Sequence, residues 1–402
     1  MIDWGEPTFE GLAVARQAVA LLEAASRAAP ANPLVWAQLG YVRLDRFEFA
    51  SAADAFEAAL LLDPRSTLVR TRLAHCYNEL RRAPECLALL SPEALSETEA
   101  SEPQVRFERA LALTEVGRSE AARVDLAAVL SARPHHHHAL AALSRILRSE
   151  ERLDEFLAVC AALAARGVAH STLLLEWGRA LALADDPRAS QLMLQPSRVA
   201  RLALPAPQGF ASTQAFTAAF ADELADHPVK LSELPKRDAN RGSRRVHHLL
   251  AGGHPELVRA LIATLQARID ELAGSLKPKT EFDAWPRAIP ARARLNCWGL
   301  IQRPGEYEAW HYHPGGWMSG VCYMRVPASF SAAGEGAGCI EFGPPPQVAE
   351  AGRNACEPLR IAVEEGLLLL SPSHYMHRTI PFDDAGERIS FAFDVVPIRD
   401  AA

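Results

Sequence analysis

Three histidines and one arginine carry the spacing most suggestive of chemistry in this sequence. His311 and His313 stand two apart in Trp-His-Tyr-His-Pro, and His377 lies in Ser-Pro-Ser-His-Tyr-Met-His-Arg. Residues two apart on a strand point to one face, so both imidazoles would look into the same interior, where a ring from a distant strand can meet them. Three neutral nitrogen ligands on one face leave about three positions of an octahedral ion open, as oxidative chemistry at a ferrous ion requires. Eleven residues beyond His377, Arg388 and Ser390 repeat the two-residue step in Glu-Arg-Ile-Ser-Phe-Ala-Phe. Both are expected to face the same interior. A buried guanidinium needs an anionic partner, and no acid of its own strand precedes Asp394. A carboxylate cosubstrate would satisfy it with two parallel hydrogen bonds.

Each of these residues has a plainer reading. A His-x-His pair on a strand is often structural, and His374 competes with His377 for the third place. A carboxylate from Glu306, Glu308 or Glu341 is an alternative second ligand. Three imidazoles also suit a zinc ion with an activated water, in a hydrolase or lyase, but Arg388 and Ser390 then lose their purpose. Trp298, Trp310 and Trp317 are expected mostly in the core, with a substrate channel as the other reading.

These residues require a β framework. After Pro290 short apolar runs alternate with Gly and Pro: 294–302, 310–313, 319–326, 339–342, 360–363, 367–370 and 388–396. Such short strands with tight turns suggest a double-sheet jelly roll, which would bring His311, His313 and His377 together from separate strands.

The first half reads differently. Up to about residue 200 the chain is crowded with Ala, Leu, Arg and Glu, whereas Gly, Pro and aromatics gather after about 280. Trp36, Leu39, Gly40, Ala52, Phe56, Ala59 and Pro64 sit at the offsets of a 34-residue helix-turn-helix unit, a pattern that resembles the tetratricopeptide repeat. Leu73, Ala74 and Tyr77 continue it, and Ala110, Leu113, Ala122, Leu126, Val129 and Pro134 form a later copy. Three units are visible, and the pattern decays beyond Pro134. Small residues at helix crossings (Gly40 with Ala52, Ala110 with Ala122) explain the repeat without chemistry. A stacked solenoid offers a surface for a peptide, a partner protein or self-association. The run His135–His138 follows the repeat's terminal proline and is expected to begin a helix. Prolines at 196, 205 and 207 mark a boundary between a repeat domain over 1–195 and a second domain over 205–402.

Composition excludes several classes. A net charge of −7, from 42 basic against 49 acidic side chains, argues against a nucleic-acid protein. Seven cysteines, odd in number and widely spaced, suggest neither a disulfide framework nor a thiolate zinc site. No stretch approaches the roughly 20 apolar residues that cross a bilayer, and residues 1–11 carry acids where a signal peptide carries lysines. A cytoplasmic protein is expected.

The order His-x-His, a distant His, then Arg-x-Ser resembles the iron(II)- and 2-oxoglutarate-dependent oxygenases. Residues 311–327, 338–343, 366–382 and 388–394 resemble a bacterial branch often fused to tetratricopeptide repeats. The resemblance implies that His311, His313 and His377 hold the iron and that Arg388 and Ser390 bind the distal carboxylate of 2-oxoglutarate, with Tyr323 adding a hydroxyl contact. It also implies cosubstrate O2, oxidative decarboxylation to succinate, and hydroxylation of a peptide, protein or small-molecule substrate. His313 stands where the family usually has a carboxylate, leaving the ferrous site one unit more positive. A three-histidine iron dioxygenase that does not use 2-oxoglutarate, and a non-catalytic repeat scaffold with a degenerate barrel, are the alternatives. The expected architecture is an N-terminal all-α tetratricopeptide-like solenoid followed by a C-terminal double-stranded β-helix with flanking helices.

Overall fold

The computed structural model describes residues 1–9, 15–228, 230–231, 239–280, 282–331, 336–344, 346–350 and 356–399. Packing divides the chain into two compact units, Leu12–Val159 and Met1–Gly11 with Cys160–Ala402.

Paired helices build the first unit. Pro33–Asp45 opens at Asn32, whose side chain accepts the Leu34 N–H at 3.0 Å, with proline at the first helical position. It packs on Phe49–Leu62. First helices of successive pairs begin at Pro33, Thr67, Pro103, His137 and Ser171, in steps of 34, 36, 34 and 34 residues. Among the described residues five tetratricopeptide-like pairs therefore stand where three were visible. The later ones are hard to read because Phe156, fully buried, occupies the second-helix position at which Ala52 and Ala122 stand in earlier pairs. The eighth position of the first helix stays small throughout, as Gly40, Ala74, Ala110, Ser144 and Gly178, all buried. Helix His137–Ser149 begins as expected, and the His136 ring caps it by accepting the Ala139 N–H on Nδ1 at 3.1 Å.

A Cβ on Gly40 would stand 2.5 Å from the ring of Phe56, which is 0% exposed. Overpacking of this kind costs about 1–3 kcal/mol, while Gly→Ala in a helix returns at most about 1 kcal/mol. Gly40→Ala should therefore lower the thermal midpoint of the helical unit, as followed by far-ultraviolet circular dichroism. An unchanged midpoint would mean that the Phe56 ring yields.

The division falls at Val159, within the helix Leu153–Ala165 and ahead of the boundary expected between 195 and 205. The fifth pair, Ser171–Leu183 with Ala189–Met193, belongs to the sheet-containing unit, and most residues of Ser171–Leu183 are buried. Just beyond it, strand Ala200–Ala203 pairs with Leu367–Pro372.

Two sheets form the double-stranded β-helix. The nine-stranded sheet runs Ala200–Ala203, Leu367–Pro372, Met318–Arg325, Arg388–Pro397, Arg292–Gln302, Arg244–Val246, Lys230–Leu231. Two short strands near the start of the chain, Asp3–Trp4 and Thr8–Phe9, pair in parallel with Arg292–Gln302. The smaller sheet runs Leu359–Ile361, Ile340–Gly343, Met376–Thr379. Helix Thr213–Asp226 covers the outside of the large sheet, with Phe220 edge-on to Phe391 at 5.6 Å. Because strand side chains alternate, turning Phe391 outward turns Arg388, Ser390, Ala392 and Asp394 inward.

Candidate metal centre

The segment 310–313, expected as a strand, is extended coil touching the small sheet at a single point. His311 and His377 exchange both backbone hydrogen bonds, at 3.0 and 2.9 Å, and the His313 N–H donates to the Ser373 carbonyl at 3.0 Å. These bonds hold the chain extended long enough for the two-residue alternation to act, and the rings of His311, His313 and His377 converge. One ligand-capable atom from each lies within 4.8 Å of the others. The first turn of helix Ser171–Leu183 holds this loop from outside: the Ser171 hydroxyl donates to the Gly316 carbonyl at 2.6 Å, and Thr172 Oγ1 lies 3.2 Å from the Tyr312 hydroxyl.

Every Nδ1 is occupied behind the cluster. His311 Nδ1 bonds the Ala309 carbonyl at 2.7 Å, His377 Nδ1 the Tyr375 carbonyl at 3.1 Å, and His313 Nδ1 the Asp394 carboxylate at 3.1 Å. Carbonyls only accept, so the proton sits on Nδ1 in His311 and His377 and the Nε2 lone pair faces inward. With the His313 proton on Nδ1 toward Asp394 and Nε2 bare, the Nε2 atoms of His313 and His377, 3.4 Å apart, present two lone pairs that a cation between them would satisfy. Two nitrogens held at right angles about 2.1 Å from one ion stand about 3 Å apart, so the donor set fits a metal. Burial holds His311 well below the usual imidazole range, with the neighbouring rings adding to the effect. Burial, then the nearby His313, brings His377 down to about 4. Neutral rings are the metal-binding form.

A pH dependence follows. His374 is also buried, its pKa lowered to about 3 by burial. An unfolded histidine binds a proton below about 6.5, whereas the folded rings of His374 and His377 stay neutral down to about 3 and about 4. The unfolded state therefore takes up more protons, and folding stability falls as pH drops through this window, by at most about 1.4 kcal/mol per pH unit per ring. Thermal melts of metal-free protein should show the sheet-containing unit weakening between pH 6.5 and 5, above the range of ordinary carboxylates. A flat midpoint there would mean that these rings charge inside the fold.

The cluster lines one wall of a cavity bounded by inward residues of both sheets. Cross-strand register places Arg388 beside Gln302, and Ser390 beside Leu300 and Tyr323. All five line the cavity. Arg388 is 1% exposed; its Nε and one terminal nitrogen donate to Gln302 Oε1 at 2.9 and 2.5 Å, and the other donates to the Gly338 carbonyl at 2.6 Å. These acceptors are neutral, so among the described residues no carboxylate is hydrogen-bonded to the cation, though Glu308, which also lines the cavity, acts on it electrostatically. Burial pushes the Tyr323 hydroxyl up to about 12, so it stays a neutral donor.

Other candidates separate cleanly. Glu341 lies between Arg360 and Arg378 at 2.7 and 2.5 Å, and Glu306 accepts the Arg303 N–H at 2.8 Å. Glu308 borders the cavity 3.6 Å from Arg245 but is outside the cluster. His374 packs against Tyr375 and is also outside it. Trp298 lines the cavity, stacked on His313 at 5.7 Å. Trp317 stacks on Trp285 at 5.3 Å, and Trp310 lies under the Arg378 guanidinium at 4.9 Å. Gln302 and Asp394 were not singled out from sequence. The step of two through Arg388, Ser390 and Ala392 was the signal that turns Asp394 inward.

Residues 296–394 match the family model described as "Putative 2OG-Fe(II) oxygenase". A prolyl-4-hydroxylase from Pseudomonas putida is 15% identical with a TM-score of 0.35, the match covering 55% of this chain and 100% of that one. PilW, a type IV pilus biogenesis factor, is 21% identical with a TM-score of 0.38, covering 44% of this chain and 81% of that one. MamA from Desulfovibrio magneticus RS-1 is 14% identical with a TM-score of 0.35, covering 38% and 85%. No curated protein matches the chain.

Proposed function

Proceeding from the match of residues 296–394 to the 2OG-Fe(II) oxygenase family, we propose that this protein is an iron(II)- and 2-oxoglutarate-dependent dioxygenase that hydroxylates a C–H bond of a peptide, protein or small molecule. One observation carries this reading: three imidazoles converge on the wall of a cavity that also holds a buried guanidinium to which no carboxylate is hydrogen-bonded among the described residues. His311, His313 and His377 would hold the iron. Arg388 and Ser390, with the Tyr323 hydroxyl, would bind the distal carboxylate of the keto acid. Ferrous iron with 2-oxoglutarate supplies activation of dioxygen coupled to decarboxylation of the keto acid.

The chain's own part is binding, orientation and exclusion of water. Gln302 and Gly338 fix the guanidinium plane before any ligand arrives, so little entropy is lost in docking a carboxylate. Leu300, Ile340 and Phe342 keep the cavity wall apolar, which strengthens that ion pair. No acid or base within the cavity need exchange a proton with substrate. The repeat pairs would provide the surface for a protein partner, a peptide substrate or a second copy of the chain. Among the described residues no helix is long and apolar enough to cross a membrane.

Anaerobic titration of the full chain with ferrous ion and then 2-oxoglutarate tests the reading. A weak visible charge-transfer band, and succinate release once oxygen is admitted, are expected. Iron binding with neither band nor succinate would leave Arg388 without a ligand and overturn it.

A further inference from the structure

Asp394, turned inward by the same two-residue step as Arg388 and Ser390, lies directly behind one member of the imidazole cluster. Its Oδ2 is 3.1 Å from His313 Nδ1, its Oδ1 accepts the Ser319 hydroxyl at 2.6 Å, and the Ser319 and Ser373 hydroxyls are 2.7 Å apart. Asp394, Ser319 and Ser373 are 8, 7 and 1% exposed. Cross-strand register sets Asp394 opposite Ser319, so the carboxylate is fixed by the sheet itself. His311 and His377 have only neutral carbonyls at Nδ1. Among the described residues, His313 is the member of the cluster whose Nδ1 is backed by an acid.

Resting on the function proposed above, we propose that Asp394 supplies the negative charge of this metal centre from one residue further out, so that His313 and Asp394 together act as one anionic ligand. A carboxylate accepting the Nδ1 proton polarises the ring and strengthens Nε2 as a donor. Three neutral imidazoles leave a divalent cation uncompensated beside a mostly apolar wall, where charge is costly. The proton stays on Nδ1 throughout. Asp394 lies outside the imidazole cluster and acts through His313, which makes it a positioning residue.

Asp394→Asn separates charge from geometry. The amide oxygen still accepts from His313, while its nitrogen faces Ser319, whose hydroxyl can accept as well as donate. Titrating the metal-free full chain with Co²⁺, whose visible bands report the ligand field, and with Fe²⁺ under anaerobic conditions, should show affinity about 10–100-fold lower in the variant with shifted Co²⁺ bands. Adding His313→Asp to Asp394→Asn returns a carboxylate to the centre and should recover most of that loss. If the starting protein binds neither ion, the proposed function itself fails. If it binds and Asp394→Asn binds equally well, or the double variant only binds more weakly, the charge assignment is overturned while the function stands. Should Asp394→Asn not fold, Ser319→Ala provides the reading: a several-fold loss of affinity supports the assignment, and unchanged affinity overturns it.

Discussion

His377→Ala is expected to remove ferrous-ion binding from the full chain while leaving both units folded. The ring supplies one of only three nitrogens in the cluster and faces His313 across 3.4 Å, so its loss takes away both a ligand and the pairing that encloses the ion. The effect should exceed the roughly 10–100-fold cost of losing an outer hydrogen-bond partner. The strand survives because its hydrogen bonds to His311 and its pairing with Ile340–Gly343 are backbone ones, although the ring contacts to His311 and Phe342 at 4.3 and 5.5 Å are lost. Removing a ring whose charged form is disfavoured by burial also leaves no unpaired charge behind. Ferrous titration with circular dichroism on the same samples is the measurement. Global unfolding would identify His377 as a packing residue, and retained stoichiometric iron would place the ion elsewhere.

Arg388→Lys is expected to weaken 2-oxoglutarate about 10–100-fold, or about 1.4–2.7 kcal/mol, with iron affinity nearly unchanged. The arginine is a planar fork pinned by Gln302 and Gly338, so its direction is set by the protein rather than by the ligand. An ammonium is a point charge, cannot keep those anchoring bonds and also present two parallel donors, and is more costly to strip of water. Gln302→Glu offers a second reading with the arginine intact. A carboxylate placed where Oε1 now accepts two guanidinium bonds would neutralise the cation and compete with the keto acid, lowering its affinity as well. Calorimetry on iron-loaded protein without oxygen measures both variants. Unaltered cosubstrate affinity in Arg388→Lys would remove Arg388 from the ligand site.

Much of this protein was legible because its signals are local and periodic. The 34-residue step needs only small residues at helix crossings, and it persists at Gly40, Ala74 and Ala110 whatever lies around them. The two-residue step at His311 and His313, and again at Arg388 and Ser390, fixes which side chains share a face as soon as the backbone is extended. It holds at His313 even though that segment forms no strand.

Features that depend on distant backbone pairing left no such trace. Asp3–Trp4 and Thr8–Phe9 join Arg292–Gln302 through main-chain hydrogen bonds, and a two-residue strand is too short to show a period. The fifth helix pair looks like more solenoid in sequence, yet Ser171 and Thr172 spend their hydroxyls on the loop that carries His313. The two-residue step turns Asp394 inward, but its partners appear only when Met318–Arg325 and the 311–313 segment come alongside it. Composition and period determined which residues could share an interior. Which nitrogen each imidazole turns inward, and what stands behind it, was decided by tertiary structure, because the hydrogen-bond acceptors that choose the tautomer come from other parts of the chain.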